Sequence, residues 1–375
     1  MIGIELQPIL KNKSGVGWYT YHLINELRKM GCPVSGYAFD FLGRNNYRKQ
    51  IDELGIFADI CTLMPYGVYR RVWRYLPIRY NWLFQPKADI YHFFNFIIPP
   101  YIKGKTIVTI YDMVYEKFPE TMERKNYLKL KRELKRSAHQ SDIIITISEN
   151  SKKEIIEYLD VEPSKIKIIY PGIDHELFNK DIDEDQKNII RKKYKLPDRY
   201  ALYLGNLEPR KNVKSIIKGI AEYNHNYHDN LLLVIAGESG WMYEPIYKTI
   251  QEYKMDHNIV FTGYIDEVDK PAIYKMSEIF LFPSLYEGFG IPVLEAMASG
   301  VPVITSNTSS LPEVVGDAAI LVNPQNVENI VNSIFSLNNN QKLRNDLIQK
   351  GLAQSKKYNW KSSATNLYTI YRDFN

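Results

Sequence analysis

Short apolar runs recur along this chain, and segments of helical period separate most of them. In the first half the runs are IGIEL (2–6), DIYHFF (89–94), KTIVTIYD (105–112), DIIITIS (142–148) and IKIIY (166–170). In the second half they are YALYLG (200–205), LLLVIAG (231–237), IVFTG (259–263), IFLFPS (279–284), VPVITS (301–306) and AAILV (318–322). Such runs suit strands buried on both faces, and their alternation with helices predicts parallel sheets. Helices are predicted over 212–223, 267–277 and 326–337, among others. Two such series in succession predict two doubly wound α/β domains. The stretch PGIDHELFNKDIDEDQKNIIRKKYKLPDR (171–199) is polar, charged and bracketed by prolines, and reads as a linker plus an opening helix. Two sheets of this kind would face each other across a cleft. Ligands of such sheets bind at the carboxyl ends of the strands. The loops after Leu6, Tyr111, Gly205, Gly237, Ser284 and Ser306 are therefore the places to look for chemistry.

A length of 375 residues suits two domains rather than one core. The two cysteines, Cys32 and Cys61, fit no metal or redox spacing and agree with a reducing compartment. The opening MIGIELQPIL lacks a charged segment followed by an apolar core, so no signal peptide is expected there. No apolar run reaches the roughly 18 residues that span a bilayer. A cytoplasmic protein is expected, with a peripheral place at the inner face of the membrane as one option. The net charge of +5 is uneven: residues 1–175 are basic and the remainder is slightly acidic. An anionic membrane, a phosphorylated substrate or nucleic acid would each account for that. The Asp-x-Asp within DIDED (181–185) could chelate a metal-bound diphosphate. It follows no strand, however, and reads as solvated linker.

The densest chemistry lies in LYEGFGIPVLEAMASGVPVIT (285–305). IFLFPS is the strand and SLYEGFG the strand-to-helix loop. Pro292 suits the first helical turn and Gly300 its end. Glu287 then sits on the loop and Glu295 about one turn into the helix. Gly288 and Gly290 allow close backbone approach. The amides of Gly290–Val293 stand at the positive end of the helix dipole, where a phosphate binds. A carboxylate on either side of a phosphate suits hydroxyl pairs, one on a sugar and one on a ribose. A nucleoside diphosphate sugar has that shape.

The stretch SLYEGFGIPVLEAMASGVPVITSNTSSLPEVVG, with its Glu-x7-Glu, resembles the signature of retaining glycosyltransferases of family 4, which have the GT-B fold. LGNLEPRKN (204–212), SGVGWYTYHLINEL (14–27), TIYDMVYEKFPE (109–120), ISENSKKEI (147–155) and IIYPGID (168–174) also resemble family segments. The resemblance implies two Rossmann-like doubly wound domains facing a cleft. The first would be an acceptor-binding domain of residues 1–175 with about 358–375, the second a nucleotide-sugar domain of 176–357. The tail YNWKSSATNLYTIYRDF (358–374) would cross back to the first domain, with Trp360 as its anchor.

The resemblance also implies roles. Arg210 and Lys211 would neutralise the donor diphosphate and the leaving group. Glu287 would hold hydroxyls of the donor sugar, and Glu295 the ribose. The amides of Phe289, Gly290 and Ile291, beside Gly288, would meet phosphate or sugar. Gly15 and Gly17 would let a first-domain loop close over the donor, and Gly205 with Asn206 would line the diphosphate loop. Asn206 stands where many relatives carry Arg or Thr. Tyr111 stands where many carry histidine. It can donate a hydrogen bond but carries no charge at neutral pH. Asp112 would orient an acceptor hydroxyl or cap the strand end. His92 would face the acceptor or pack in the core. No metal and no cofactor are expected beyond the nucleotide sugar as co-substrate, with GDP-mannose favoured.

Basic and aromatic residues mingle in PYGVYRRVWRYLPIRYNWLF (65–84), through Arg70, Arg71, Arg74 and Arg79 with Trp73, Tyr75, Tyr80 and Trp82. RKNYLKLKRELKR (124–136) is strongly basic. Given a sugar-transfer site, an anionic membrane is the better partner than nucleic acid, which is not expected. FFNFIIPPY (93–101) would sit at the acceptor mouth. The leading expectation is a retaining, metal-independent hexosyltransferase, mannose favoured, acting on a glycan or lipid-linked acceptor in surface polysaccharide synthesis. The alternatives are a nucleotide-sugar epimerase or phosphorylase, or a non-catalytic sugar-nucleotide-binding subunit.

Overall fold

The computed structural model describes residues 1–10, 15–44, 47–73, 75–76, 78–238 and 240–374. Arg74 and Ser14, which figure in the motifs above, lie outside the described residues. The chain divides into two compact units. Unit 1 comprises Met1–Glu116, Arg124–Gly172 and Trp360–Asn375; unit 2 comprises Lys117–Glu123 and Ile173–Asn359. The chain thus passes to unit 2 at Gly172/Ile173 and returns to unit 1 at Trp360.

Unit 1 is built on β1 (Ile2–Glu5), β2 (Val34–Phe39), β3 (Phe57–Cys61), β4 (Ile90–Phe93), β5 (Lys105–Thr109), β6 (Ile143–Thr146) and β7 (Ile166–Ile168), in the order β3-β2-β1-β4-β5-β6-β7. All pairings are parallel. Two of these strands do not appear in the apolar pattern. β2 carries Gly36, where an added Cβ would lie 2.3 Å from Cδ1 of Leu6, the residue after β1, so the close approach of that side chain breaks the apolar run. β3 is an edge strand with Phe57 61% exposed, so it is not apolar throughout.

Helix Trp360–Phe374 completes unit 1. The Trp360 ring stacks on His22 at 4.7 Å and meets Tyr19 edge-on at 5.9 Å. The buried Tyr371 hydroxyl reaches His92 Nδ1 at 2.6 Å. Trp360 is therefore the anchor of the returning tail.

Unit 2 holds β8 (Tyr200–Leu204), β9 (Leu232–Ala236), β10 (Ile259–Gly263), β11 (Ile279–Phe282), β12 (Val303–Ser306) and β13 (Ile320–Val322), in the order β10-β9-β8-β11-β12-β13, again all parallel. β8 and β11 are buried throughout. Helices Val213–Tyr227 and Val327–Asn339 pack on the sheet and on each other, through Ile216, Ile220, Ile330 and Ile334. Each such side chain contributes about 1.5–3 kcal/mol by leaving water. Gly219 is part of this contact, because a Cβ there would meet Ile330 Cγ2 at 2.8 Å. The linker carboxylates serve the backbone: Asp183 caps helix Glu184–Tyr194 by accepting from the Gln186 amide at 2.8 Å.

Each sheet contains one point where strand order reverses. In unit 1 it lies between β1 and β4, and in unit 2 between β8 and β11. Crevices at the carboxyl ends of such strand pairs are the natural ligand sites of doubly wound folds.

Candidate active site

In unit 2 the reversal point brings together the loop 205–212, after β8, and the loop 283–290, after β11. Their backbones are shaped for close approach. Gly205 has φ 155° and Gly237, from the neighbouring loop, φ 138°. A Cβ on Gly237 would lie 2.2 Å from the Gly205 carbonyl oxygen, so this position admits only glycine. Asn212 adopts a left-handed conformation, and its Nδ2 donates to the carbonyls of Pro283 at 3.0 Å and Pro324 at 2.7 Å. One amide thus fastens the loops that follow β8, β11 and β13. The Leu285 amide donates to the Arg210 carbonyl at 2.8 Å and closes the pair from the other side.

These fixed loops hold a charge cluster. Glu287 is 6% exposed. Arg210 Nη1 donates to its Oε2 and Lys211 Nζ to its Oε1, each at 2.7 Å. Burial acts to raise the Glu287 pKa, but the Coulombic pull and hydrogen bonds of Arg210 and Lys211 outweigh it and lower the pKa to about 2. Arg210 also donates to Glu208 Oε1 at 2.9 Å and to the Tyr286 carbonyl at 2.6 Å. Lys211 lies over the Phe282 ring at 4.9 Å. The sequence placed Glu287, Arg210 and Lys211 in separate roles. The structure joins them in one ion cluster with Glu208, which sequence reasoning passed over. The signal for Glu208 was its position two residues before Arg210, on the same loop.

The helix Ile291–Ala298 begins at Gly290, with φ 114°. A Cβ on Gly290 would lie 2.8 Å from Leu311 Cδ2, so the helix start is pressed against its neighbour. Ser310 Oγ donates to the carbonyls of Glu287 and Phe289 at 2.9 and 3.0 Å and holds the loop's turn. The Phe289 side chain is buried against Tyr358, with ring centroids 5.4 Å apart. The helix start offers fewer amides than expected. Pro292 has none, and the Val293 amide donates to the Gly290 carbonyl at 3.0 Å. The amides of Gly290 and Ile291 remain at this end of the helix.

Glu295 is 7% exposed and one turn into that helix. Tyr274 donates to its Oε2 at 2.8 Å, and Lys270 Nζ stands 3.7 Å from its Oε1. Lys270 also pairs with Glu267 at 2.7 Å. Burial would lower the Lys270 pKa, but Glu295 and Glu267 raise it, so the lysine stays charged beside the carboxylate. Tyr274 and Lys270 were not singled out in the sequence, since both lie in a segment read only as a helix. Asn206 is exposed, and its carbonyl accepts from the Tyr203 hydroxyl at 2.9 Å.

The expected residues of unit 1 fall differently. Gly15 and Gly17 are not in a loop. They lie within helix Gly15–Lys29, with Gly17 buried, because the helix begins earlier than the glycines suggested. Tyr111 is 5% exposed, with its ring edge-on to Tyr19 at 5.4 Å and against Phe96 at 5.3 Å. Burial raises its pKa far above the ordinary range, so it stays neutral. Asp112 Oδ1 accepts from the Val114 amide at 3.1 Å, the capping geometry. His92 corrects the acceptor expectation. It is 0% exposed, and its ring nitrogens meet the Tyr371 hydroxyl at 2.6 Å and Thr109 Oγ1 at 2.8 Å. Burial lowers its pKa to about 3, so it is a neutral core histidine.

The aromatic run also divides: Trp73 and Tyr80 are core, while Tyr75 and Trp82 are exposed. Phe93, Phe94, Ile97 and Ile98 are buried, so FFNFIIPPY packs the interior and does not form a mouth; Tyr101 alone among its large side chains is well exposed. Among the described residues no helix is long and apolar enough to cross a membrane.

Comparison with known proteins agrees with this geometry. A family model described as Glycosyltransferase Family 4 matches residues 13–177, and one described as Glycosyl transferases group 1 matches residues 185–354. The chain is 30% identical over 298 residues to the O-antigen chain mannosyltransferase B of Escherichia coli, covering 79% of this chain and 77% of that one. It is 32% identical over 230 residues to the serotype-specific mannosyltransferase WbdA of Escherichia coli, covering 60% of this chain and 28% of that much longer one. In fold it is similar to HepE of Anabaena, solved in complex with UDP and glucose. The TM-score is 0.76, at 15% identity and with 100% of both chains covered.

Proposed function

This chain belongs to the family 4 glycosyltransferases and has the GT-B fold, and from that premise we propose that it moves a hexose, with mannose favoured, from a nucleoside diphosphate sugar to a glycan or lipid-linked acceptor in surface polysaccharide synthesis. The observation that carries this reading is the Glu287 carboxylate held by Arg210 and Lys211 at the reversal point of the unit 2 sheet. Two cations on one buried carboxylate are a ready site for a diphosphate. The arriving phosphate oxygens take over Arg210 and Lys211. Glu287 is then released to accept hydroxyls of the donor sugar. Glu295, beside Lys270 and oriented by Tyr274, takes the ribose hydroxyls. Mannose is favoured because the O-antigen chain mannosyltransferase B is similar over most of both chains. UDP-glucose is the other donor to try, because the similarly folded HepE was solved with UDP and glucose.

The reaction proposed is transfer with retention. The bond between the sugar C1 and the β-phosphate oxygen breaks. The acceptor oxygen bonds to C1 on the same face, its proton passes to the departing phosphate, and the nucleoside diphosphate leaves. Arg210, Lys211 and the amides at the Gly290 end of the helix stabilise the charge that grows on the phosphate. That field makes a metal ion unnecessary for the step. No nucleotide cofactor is consumed apart from the donor.

The test is to incubate the protein with GDP-mannose, UDP-glucose and their relatives and to measure nucleoside diphosphate release with and without glycan acceptors. Acceptor-stimulated release from one donor, with product of the donor's anomeric configuration, is expected. Isomerised donor without transfer would replace this reading with an epimerase.

The acceptor is proposed to come from an anionic membrane surface. Leu63, Tyr75, Leu76 and Trp82 of unit 1 are 77%, 82%, 53% and 65% exposed, beside the exposed Arg71 and Arg79. Flotation with phosphatidylglycerol vesicles at low salt is the check; protein left at the bottom of the gradient removes the membrane from the proposal.

A further inference from the structure

The reversal point of the unit 1 sheet holds a carboxylate that the reaction above does not use. Glu5 is the last residue of β1, and β1 lies beside β4 where the strand order turns. It is 2% exposed; the Tyr66 hydroxyl is its hydrogen-bonding neighbour, and neither carboxylate oxygen makes a hydrogen bond of close geometry. A buried carboxylate left so is costly unless something satisfies it. The groups around it are also incomplete. The hydroxyls of Tyr69 and Tyr80 and the Nε of Arg70 are buried without partners. Together with the two Glu5 oxygens they make five of the twelve such side-chain atoms among the described residues, gathered at one place. Tyr66, Arg70 and Lys129 are the polar neighbours that act on Glu5. These three are half-buried.

We propose that Glu5, with Tyr66 and Arg70 at its rim, is the subsite that binds a sugar residue of the acceptor through a pair of its hydroxyls. The inference rests on the glycosyl-transfer reading for the word acceptor, but not for the site. A carboxylate with lone pairs to spare on both oxygens accepts two hydroxyl hydrogens at once. Tyrosine hydroxyls both donate and accept, which suits the remaining sugar oxygens. Arg70 and Lys129 favour the charged form of the carboxyl group, while its burial, the larger effect, favours the neutral one. Aromatic rings supply the apolar face that a pyranose covers. Neutral polyols fit this site better than phosphates, because the buried group nearest the sheet is a carboxyl, which accepts from hydroxyls and repels a phosphate when ionised.

The experiment compares wild type with Glu5→Gln, using methyl glycosides of mannose, glucose, galactose and N-acetylglucosamine as probes. Saturation-transfer NMR should show at least one glycoside bound to wild type and its signal lost in the variant. Where one of them serves as acceptor, its KM should rise at least tenfold while nucleoside diphosphate affinity is unchanged. An unchanged KM, or no glycoside signal in wild type, overturns the proposal. So does a parallel loss of nucleoside diphosphate affinity, which a merely structural role would give. If Glu5→Gln fails to fold, Arg70→Met at the half-buried rim should raise the same KM several-fold, and no change there is equally decisive. Glycoside binding in a wild type that transfers no sugar would keep the site and remove the transferase reading instead.

Discussion

The two sheets reverse their strand order in the same way, yet the charges at the two reversal points are opposite in condition. At β8/β11 the buried Glu287 is held by two cations, each at 2.7 Å, and Arg210 shares itself with Glu208. At β1/β4 the buried Glu5 makes no hydrogen bond of close geometry, and Tyr66, Arg70 and Lys129 are the polar groups that act on it. The first carboxylate has its charge answered by close cations; the second does not. The difference also appears in acidity. Arg210 and Lys211 lower the pKa of Glu287 to about 2 against its burial, while burial raises that of Glu5. One topology thus yields a buried carboxylate whose cations outweigh its burial and one whose burial outweighs its neighbours.

The largest expected effect breaks the comparison on the unit 2 side. Replacing Glu287 by Ala should lower turnover by roughly 10²–10³ through lost transition-state hydrogen bonds. Unchanged turnover in a steady-state assay would remove Glu287 from the reaction. Arg210→Ala comes next. Removing a charged hydrogen-bond donor to phosphate should weaken nucleoside diphosphate binding by about 10- to 100-fold, as read by calorimetry. Equal affinity would mean that the cluster is structural.

Stability against pH sharpens the contrast, because the two carboxylates have opposite signs. The pKa of Glu287 is lowered in the folded state, so its contribution is present above about 4.5 and is lost as pH falls toward about 2. The pKa of Glu5 is raised. Ionising it costs stability, and that cost sets in as pH rises from the ordinary carboxylate value of 4.5 through the folded pKa. Urea unfolding from pH 3 to 7 should show Glu287→Gln losing the acid-side slope and Glu5→Gln losing the slope of opposite sign. The same slopes in both variants would erase the distinction. The smallest expected effect is Gly290→Ala, a destabilisation of about 1–3 kcal/mol from positive φ and the Leu311 contact. An unchanged melting temperature would show that this turn can relax.

The unit 2 site was readable because its residues are close in sequence. Glu287, Gly290 and Glu295 lie on one strand–loop–helix passage, and Arg210 and Lys211 on another, each after a plainly apolar strand. Unit 1 was less readable because its site depends on depth, which spacing does not report. His92 and Tyr111 were placed near strand ends, but Tyr371, Thr109, Tyr19 and Phe96 cover them. β2 was hidden because Gly36 and Ser35 interrupt its apolar run where Leu6 approaches it. Glu5 was passed over because it reads as the polar end of a short strand. Its charge at the end of IGIE was the signal, and only the structure shows how deeply that charge is buried.

The central claim is that Glu287 occupies the diphosphate's cations until the donor arrives. Calorimetric titration of GDP, UDP, ADP, CDP and dTDP into wild type and Glu287→Gln tests it most directly. The account predicts that one diphosphate stands out in wild type and binds Glu287→Gln at least as tightly, since the competing carboxylate charge is gone. Weaker binding to the variant, or no diphosphate bound by either protein, would contradict it.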